Sequence, residues 1–120
     1  MRQQDHLKTI SKCSLALPEV EEGTAYGTPA FRVRGKLFAR LHEDGESLVL
    51  KMDFESRDIH IQVNPAVFSI TDHYRNYPYV LVNLTVIQQG ELQELLEQAW
   101  RSCAPKRLLS DYLSKRIEHK

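Results

Sequence analysis

Five cations, Arg32, Arg34, Lys36, Arg40 and Lys51, fall in or beside a segment whose other residues, among them Phe31, Val33, Leu37 and Leu41, are those of a protein core. Cations interleaved with an aromatic ring are the chemistry of a polyanion grip, in which charged groups hold phosphates while a ring stacks on a base. Phe38 would supply the ring, and His42 shares the face. The plain alternative is the solvated side of a half-buried sheet, on which charged residues alternate with apolar ones.

A second cluster, "TDHYRNYP" from Thr71 to Pro78, gathers Asp72, His73, Tyr74, Arg75 and Tyr77, with Tyr79 just beyond. A dense polar and aromatic loop suits ligand binding, with His73, Tyr74, Arg75 and Tyr77 as its candidate residues. The same residues would also make a rigid turn in which Asp72 caps backbone amides. Asp72 and His73 are no catalytic dyad, because neighbours in an extended chain point to opposite faces. A third group, Lys106, Arg107, Lys115, Arg116 and Lys120, makes the C-terminal segment basic, either to supplement binding or to favour a helix C-terminus and solubility.

Enzyme signatures are absent. There is no phosphate-binding G-x-x-x-x-G-K, no G-x-G-x-x-G, no G-x-S-x-G and no H-E-x-x-H. His6, His42, His60, His73 and His119 are scattered without metal-ligand spacing, and Cys13 and Cys103 form no C-x-x-C pair. The expectation is a non-enzymatic protein with no catalytic residue, no metal and no cofactor. Sixteen Lys plus Arg balance sixteen Asp plus Glu. Any polyanion site must therefore be local rather than a property of net charge. No apolar run approaches a membrane span and the N-terminus is too polar for a signal peptide, so a cytoplasmic protein with no membrane partner is expected.

These residues need a scaffold. The 120 residues contain no repeat or linker and read as one domain, 1–120. Leu7, Ile10, Ser14 and Leu17 fall near helical spacing, giving a helix over about 3–16 that ends before Pro18. "PEVEEGTAYGTP" has the composition of a connector. A three-residue turn at Arg34-Gly35-Lys36 would point Phe31, Val33, Leu37, Ala39 and Leu41 to one face. Asp44-Gly45 suits a two-residue type I′ hairpin that pairs Leu41 with Leu48, Ala39 with Leu50 and Leu37 with Met52. Arg32, Phe38, Arg40, His42, Ser47, Val49 and Lys51 are then left on the opposite, solvent face. "AVFSIT" and "YVLVNLTV" add two strands, for five in all. Leu92, Leu95, Leu96, Ala99, Trp100 and Cys103 mark a core-packing helix over about 91–103, and Ala104-Pro105 starts a terminal one. The segment 53–65 is ambiguous: Ile59, Ile61 and Val63 alternate as in a strand, whereas Asp53 and Glu55 suit a helix start.

The order "TPAFRVRGKLFARL", "FESRDIHIQVNPAVFSITDHYRNYPYVLVNL" and "ELQELLEQAWRSCAPKRL" resembles the MmcQ/YjbR family of small bacterial proteins from about Leu17 to Leu109. The resemblance implies an α+β fold of two layers, an antiparallel five-stranded sheet with helices packed on one face, in the order αβββαββα plus the C-terminal helix. It also implies that Phe54 to Val63 is helical, which we adopt because ordinary loop lengths then connect the flanking strands. It implies DNA binding through a "double wing" of β-hairpins. The wings would be the basic Arg34-Gly35-Lys36 hairpin and the Asp44-Gly45 hairpin, although Glu43, Asp44 and Glu46 make the latter acidic.

Two functions compete at this level. One is DNA binding by Arg32, Arg34, Lys36, Arg40, Lys51 and Phe38. The other is a protein-interaction module, resembling secretion chaperones, that takes a peptide or small ligand on the open sheet face. A contiguous positive surface would favour the first, and an apolar groove around Phe38 and Val49 the second.

Overall fold

The computed structural model describes residues 3–118, and side chains for residues 5–115. The chain runs α1 (Gln3–Leu15), β1 (Val20–Ala25), β2 (Thr28–Val33), β3 (Lys36–Leu41), β4 (Ser47–Lys51), α2 (Phe54–Val63), β5 (Phe68–Ser69), a 3₁₀ turn (Asp72–Tyr74), β6 (Tyr79–Asn83), α3 (Gln89–Cys103) and α4 (Lys106–Glu118). All pairings are antiparallel, in the order β1-β2-β3-β4-β6-β5. The fold is α+β as expected, with six strands rather than five. Lys120 and His119 lie outside the described residues, as does the side chain of Arg116.

The extra strand is β1, drawn from the segment read as a connector. It is an edge strand whose central residues are all exposed, so neither face demands apolar residues and no alternation marks it. A Tyr26-Gly27 turn joins it to β2, with φ of 54° and 79°, the two left-handed residues of a type I′ hairpin.

The β2–β3 turn departs from the expected register. Arg34 and Gly35 have φ of 51° and 80°, so it is a two-residue turn with Val33 opposite Lys36. The register then shifts between Phe31 and Arg32, since Phe31 faces Ala39 while Arg32 faces Leu37. Phe38 is the extra residue of this bulge, which lets both Phe38 and Ala39 point to the core. Phe38 is fully buried, and Leu37 moves to the other face. The expected stacking ring is therefore a core residue, and the expected core Leu37 is not.

The β3–β4 register agrees with expectation, Leu41 facing Leu48 and Ala39 facing Leu50. The turn itself is different, because only Gly45 has a left-handed φ, and Gly45 N–H donates to the carbonyl of His42 at 2.9 Å. Asp44 holds it by accepting from the amides of Glu46 and Ser47, each at 2.8 Å. α2 is helical as the resemblance implied, and the Asp53 carboxylate caps it by accepting from Ser56 N–H at 2.8 Å.

One core lies between the sheet and α1 and α3. Phe31, Val33, Phe38, Leu48, Leu50, Val80 and Val82 meet Ile10, Leu92, Leu96 and Trp100 there. His6 of α1 is also buried, with Nε2 lacking a partner among the described residues, and burial pushes its pKa below the usual histidine range. A histidine held neutral in the fold takes up a proton more readily when unfolded. Stability should therefore fall as pH drops from about 7 to about 5, where the unfolded state binds the extra proton. Urea titrations across that range should show this loss, and His6→Leu should flatten it.

Candidate functional site: an aromatic groove over the second sheet face

The second face, expected to be open, is covered. The segment from the 3₁₀ turn to β6 folds back over it, and Val49, Tyr74 and Leu81 form a second small core with Tyr79 packed against them. The cation face and the aromatic loop, separate in the sequence, thus become one site.

Arg40 is its centre. It is 3 % exposed, against the expectation of a solvated cation. Its Nη2 and Nε donate to the Tyr74 hydroxyl at 2.5 and 3.2 Å, and Nη1 donates to Thr28 Oγ1 at 3.2 Å and to the carboxylate of Glu43. The guanidinium lies 4.8 Å from the centre of the Tyr26 ring. Burial pulls its pKa down, but the bonds to Glu43 and Tyr74 more than offset this and hold it above the ordinary arginine value. Arg40 in turn holds the Glu43 carboxyl below the usual range. Buried and already bonded to Tyr74, Thr28 and Glu43, Arg40 is not the solvated cation that a phosphate grip requires.

Around it the rings converge. His73 stands edge-on to Tyr74 at 4.7 Å and to Tyr26 at 6.3 Å, and lies near-parallel to Tyr77 at 6.0 Å. With Tyr79, Leu37 and Val49 these line a cleft of about 190 Å³. It continues past Tyr26, His73 and Tyr74 into a polar pocket of about 290 Å³ that reaches Arg40, His42, Glu43 and Thr71. Tyr79 donates its hydroxyl to the Leu37 carbonyl at 3.1 Å, and burial raises its pKa. A larger cleft of about 300 Å³ lies beyond Tyr79, between α2 and α3. Its polar groups are mostly turned on one another or on backbone: Asp53 caps Ser56, and the His60 Nδ1 and Ser102 Oγ bond to the carbonyls of Ser56 and Ala99. The aromatic groove is the better candidate.

Of the sequence candidates, His73, Tyr74 and Tyr77 line the groove, Arg40 supports it, and Arg32 and Lys51 flank its Leu37–Tyr79 end. Arg32 stands across from Leu37 and donates to the Thr24 carbonyl at 3.2 Å, while the Lys51 ammonium lies 5.4 Å from the centre of the Tyr79 ring. The others are left out. Arg34 pairs with Glu19 at 2.5 Å, Lys36 projects from the turn, Arg75 pairs with Asp72 at 2.8 Å in solvent, and Phe38 is in the core. Sequence reasoning missed Tyr26, although its pairing with Gly27 is a hairpin signal, and Arg57, which nothing in its helix sets apart. Among the described residues no three His, Cys, Asp or Glu side chains are grouped to hold a metal, and no helix is long and apolar enough to cross a membrane.

The model of the YjbR family matches residues 15–102, well over half of the chain. The chain belongs to the YjbR family. Its groove residues all fall inside the matched part. Over 50 residues the chain is 42 % identical to the uncharacterized proteins Rv2570 of Mycobacterium tuberculosis and Mb2600 of Mycobacterium bovis, a match spanning 42 % of this chain and 39 % of those proteins. The crystal structure of Deinococcus radiodurans protein DR2400, described with the family-model domain DUF419, superposes with a TM-score of 0.68 at 22 % identity, over 79 % of this chain and 75 % of that one. That likeness supports the YjbR fold.

Proposed function

We propose that this YjbR protein is a small binding protein without catalytic machinery. Its ligand is a planar molecule of one or two fused rings, seated in the aromatic cleft with a polar substituent toward Arg40 and Glu43. The observation that carries this reading is the convergence of Tyr26, from the β1–β2 turn, with His73, Tyr74, Tyr77 and Tyr79, from the stretch leading into β6, on one apolar floor of Leu37 and Val49. Tyr26 is 73 % exposed and Tyr77 56 %, which is wasteful of apolar surface unless something covers them. Tyr26 also adopts a left-handed φ of 54° where glycine or asparagine is usual. The volume is suitable, since a dry cavity of about 150 Å³ takes benzene.

A second reading, duplex DNA along the β2–β3 hairpin, is favoured by the exposure of Arg34 and Lys36 at its turn. Against it, Glu19 pairs with Arg34, Glu21 and Glu22 are exposed on the adjacent β1, and Arg40 is buried. Arg32, Lys36 and Lys51 alone would neutralise about three phosphates, for a salt slope near −2.7.

One titration separates the two. Phenol, indole and adenine at millimolar concentration should shift the ring resonances of Tyr26, His73 and Tyr77, with at least one of them saturating. A short DNA duplex should leave those rings unmoved and bind weakly at physiological salt. Saturable duplex binding with a slope steeper than about −3, together with no ring shifts from any of the three compounds, would replace the groove reading with the DNA one.

A further inference from the structure

The loop that carries the groove's rings is folded around a single buried cation. Arg57, in the second turn of α2, is 5 % exposed. Its Nη1 donates to the carbonyls of Tyr74, Tyr77 and Tyr79 at 2.9, 2.8 and 3.2 Å, and Nη2 donates to that of Arg75 at 3.1 Å. The Phe54 ring lies 4.8 Å from the guanidinium carbon. Among the described residues Arg57 makes no ion pair, so its charge is balanced by carbonyl dipoles and the face of the Phe54 ring, and a buried cation so placed holds those dipoles tightly.

All four carbonyls belong to residues 74–79, the segment that carries Tyr74, Tyr77 and Tyr79. This stretch has little ladder of its own: Tyr77 N–H bonds to the Tyr74 carbonyl, Tyr79 N–H to that of Tyr77, and Met52 N–H reaches Pro78. Carbonyls that converge inward on one guanidinium leave the tyrosine side chains directed outward, over the sheet face and toward His73. We infer that Arg57 is the positioning residue of the aromatic groove: it acts from the opposite side of the loop, touches no ligand, and sets the spacing of the rings that would bind one. This rests on the groove being the binding site, but the ring spacing can be measured without any ligand.

The geometry also predicts which substitution should be tolerated. Three of the four carbonyls meet at one nitrogen and share its two hydrogens; an ammonium brings three donors to one nitrogen, and an apolar side chain brings none. Arg57→Lys should therefore retain the groove and Arg57→Met should lose it. Both variants are compared with the wild type by NMR and amide hydrogen exchange, under conditions where the core amides of β4 remain protected. In Arg57→Met the bonded amides of Tyr74, Arg75, Tyr77 and Tyr79 should exchange at least about tenfold faster with β4 unchanged, the His73–Tyr77 ring contact should disappear, and any indole or adenine binding should weaken about tenfold or more. Arg57→Lys should restore the ring contact.

Equal acceleration at β4 and the loop, or a retained ring contact in Arg57→Met, would reduce Arg57 to a residue of general stability and overturn the inference. If Arg57→Met fails to fold, the uncharged Arg57→Gln takes its place, and a retained ring contact in that folded protein overturns the inference. A wild type that binds none of the probes but shows the predicted loop and ring changes refutes the groove as a binding site while leaving Arg57 as the residue that shapes it.

Discussion

Trp100→Ala is expected to lower the free energy of unfolding by about 3–5 kcal/mol, the largest effect of any single substitution considered. Trp100 is fully buried in the core between α3 and the sheet. Its indole N–H donates to the Pro18 carbonyl at 3.0 Å, and its ring meets that of Tyr112 edge-on at 4.9 Å. The side chain thus ties α3 at once to the segment leading into β1 and to α4. Alanine would leave a cavity in the sheet-facing layer and a carbonyl without its donor. Trp100→Phe keeps most of the volume and should cost about 1–3 kcal/mol, the penalty of the unpaired carbonyl and the smaller ring. Urea unfolding followed by circular dichroism measures both. A loss below about 1 kcal/mol for the alanine variant would show that α3 is not docked through Trp100.

How far the sequence reveals this fold depends on whether an element has one wet side. α3 has a long apolar stripe against a polar remainder, and Leu92, Leu95, Leu96, Ala99, Trp100 and Cys103 are buried as their spacing requires. β3 and β4 are different. Arg40 and Val49 look like solvent-face residues because the loop that covers them arrives some thirty positions later, and no local pattern announces a cover made by Tyr74 and its neighbours. The bulge at Phe38 has the same origin, since a register shift of one residue exchanges Leu37 and Phe38 between faces without changing either identity. β1 was illegible for the opposite reason, being exposed on both sides. The site was half legible: His73, Tyr74 and Tyr77 stood out as an aromatic loop, but not that they close over the face bearing Arg32, Arg40 and Lys51. Arg57 could not have been found. A single arginine in a polar helix carries no mark until its carbonyl partners are folded around it.

Arg40→Met is the substitution on which the solvated-cation and groove-centre readings diverge most, and it is expected to cost about 2–3 kcal/mol. Methionine retains much of the stem volume, so the loss comes from polar groups. The Tyr74 hydroxyl, in a residue that is 6 % exposed, loses both of its guanidinium donors, a penalty of about 1–3 kcal/mol for a buried group left unpaired. The contact with the Tyr26 ring accounts for about another 0.5–1 kcal/mol. Two partners soften the effect: Thr28 still donates its hydroxyl to the Ala25 carbonyl at 3.0 Å, and Glu43, whose side chain is 57 % exposed, returns to water. Arg40→Lys should rescue little, because one ammonium on a flexible stem cannot reproduce the planar fork that serves Tyr74, Thr28 and Glu43 together. The readouts are urea stability and the ring resonances of Tyr26 and His73, which should move in both variants as the wall between the two halves of the groove loosens. If Arg40→Met instead stays within about 0.5 kcal/mol of wild type with the rings unmoved, Arg40 behaves as an ordinary surface cation. The covered sheet face would then be open in solution, and the cations along β2 and β3 would again be free to meet a polyanion.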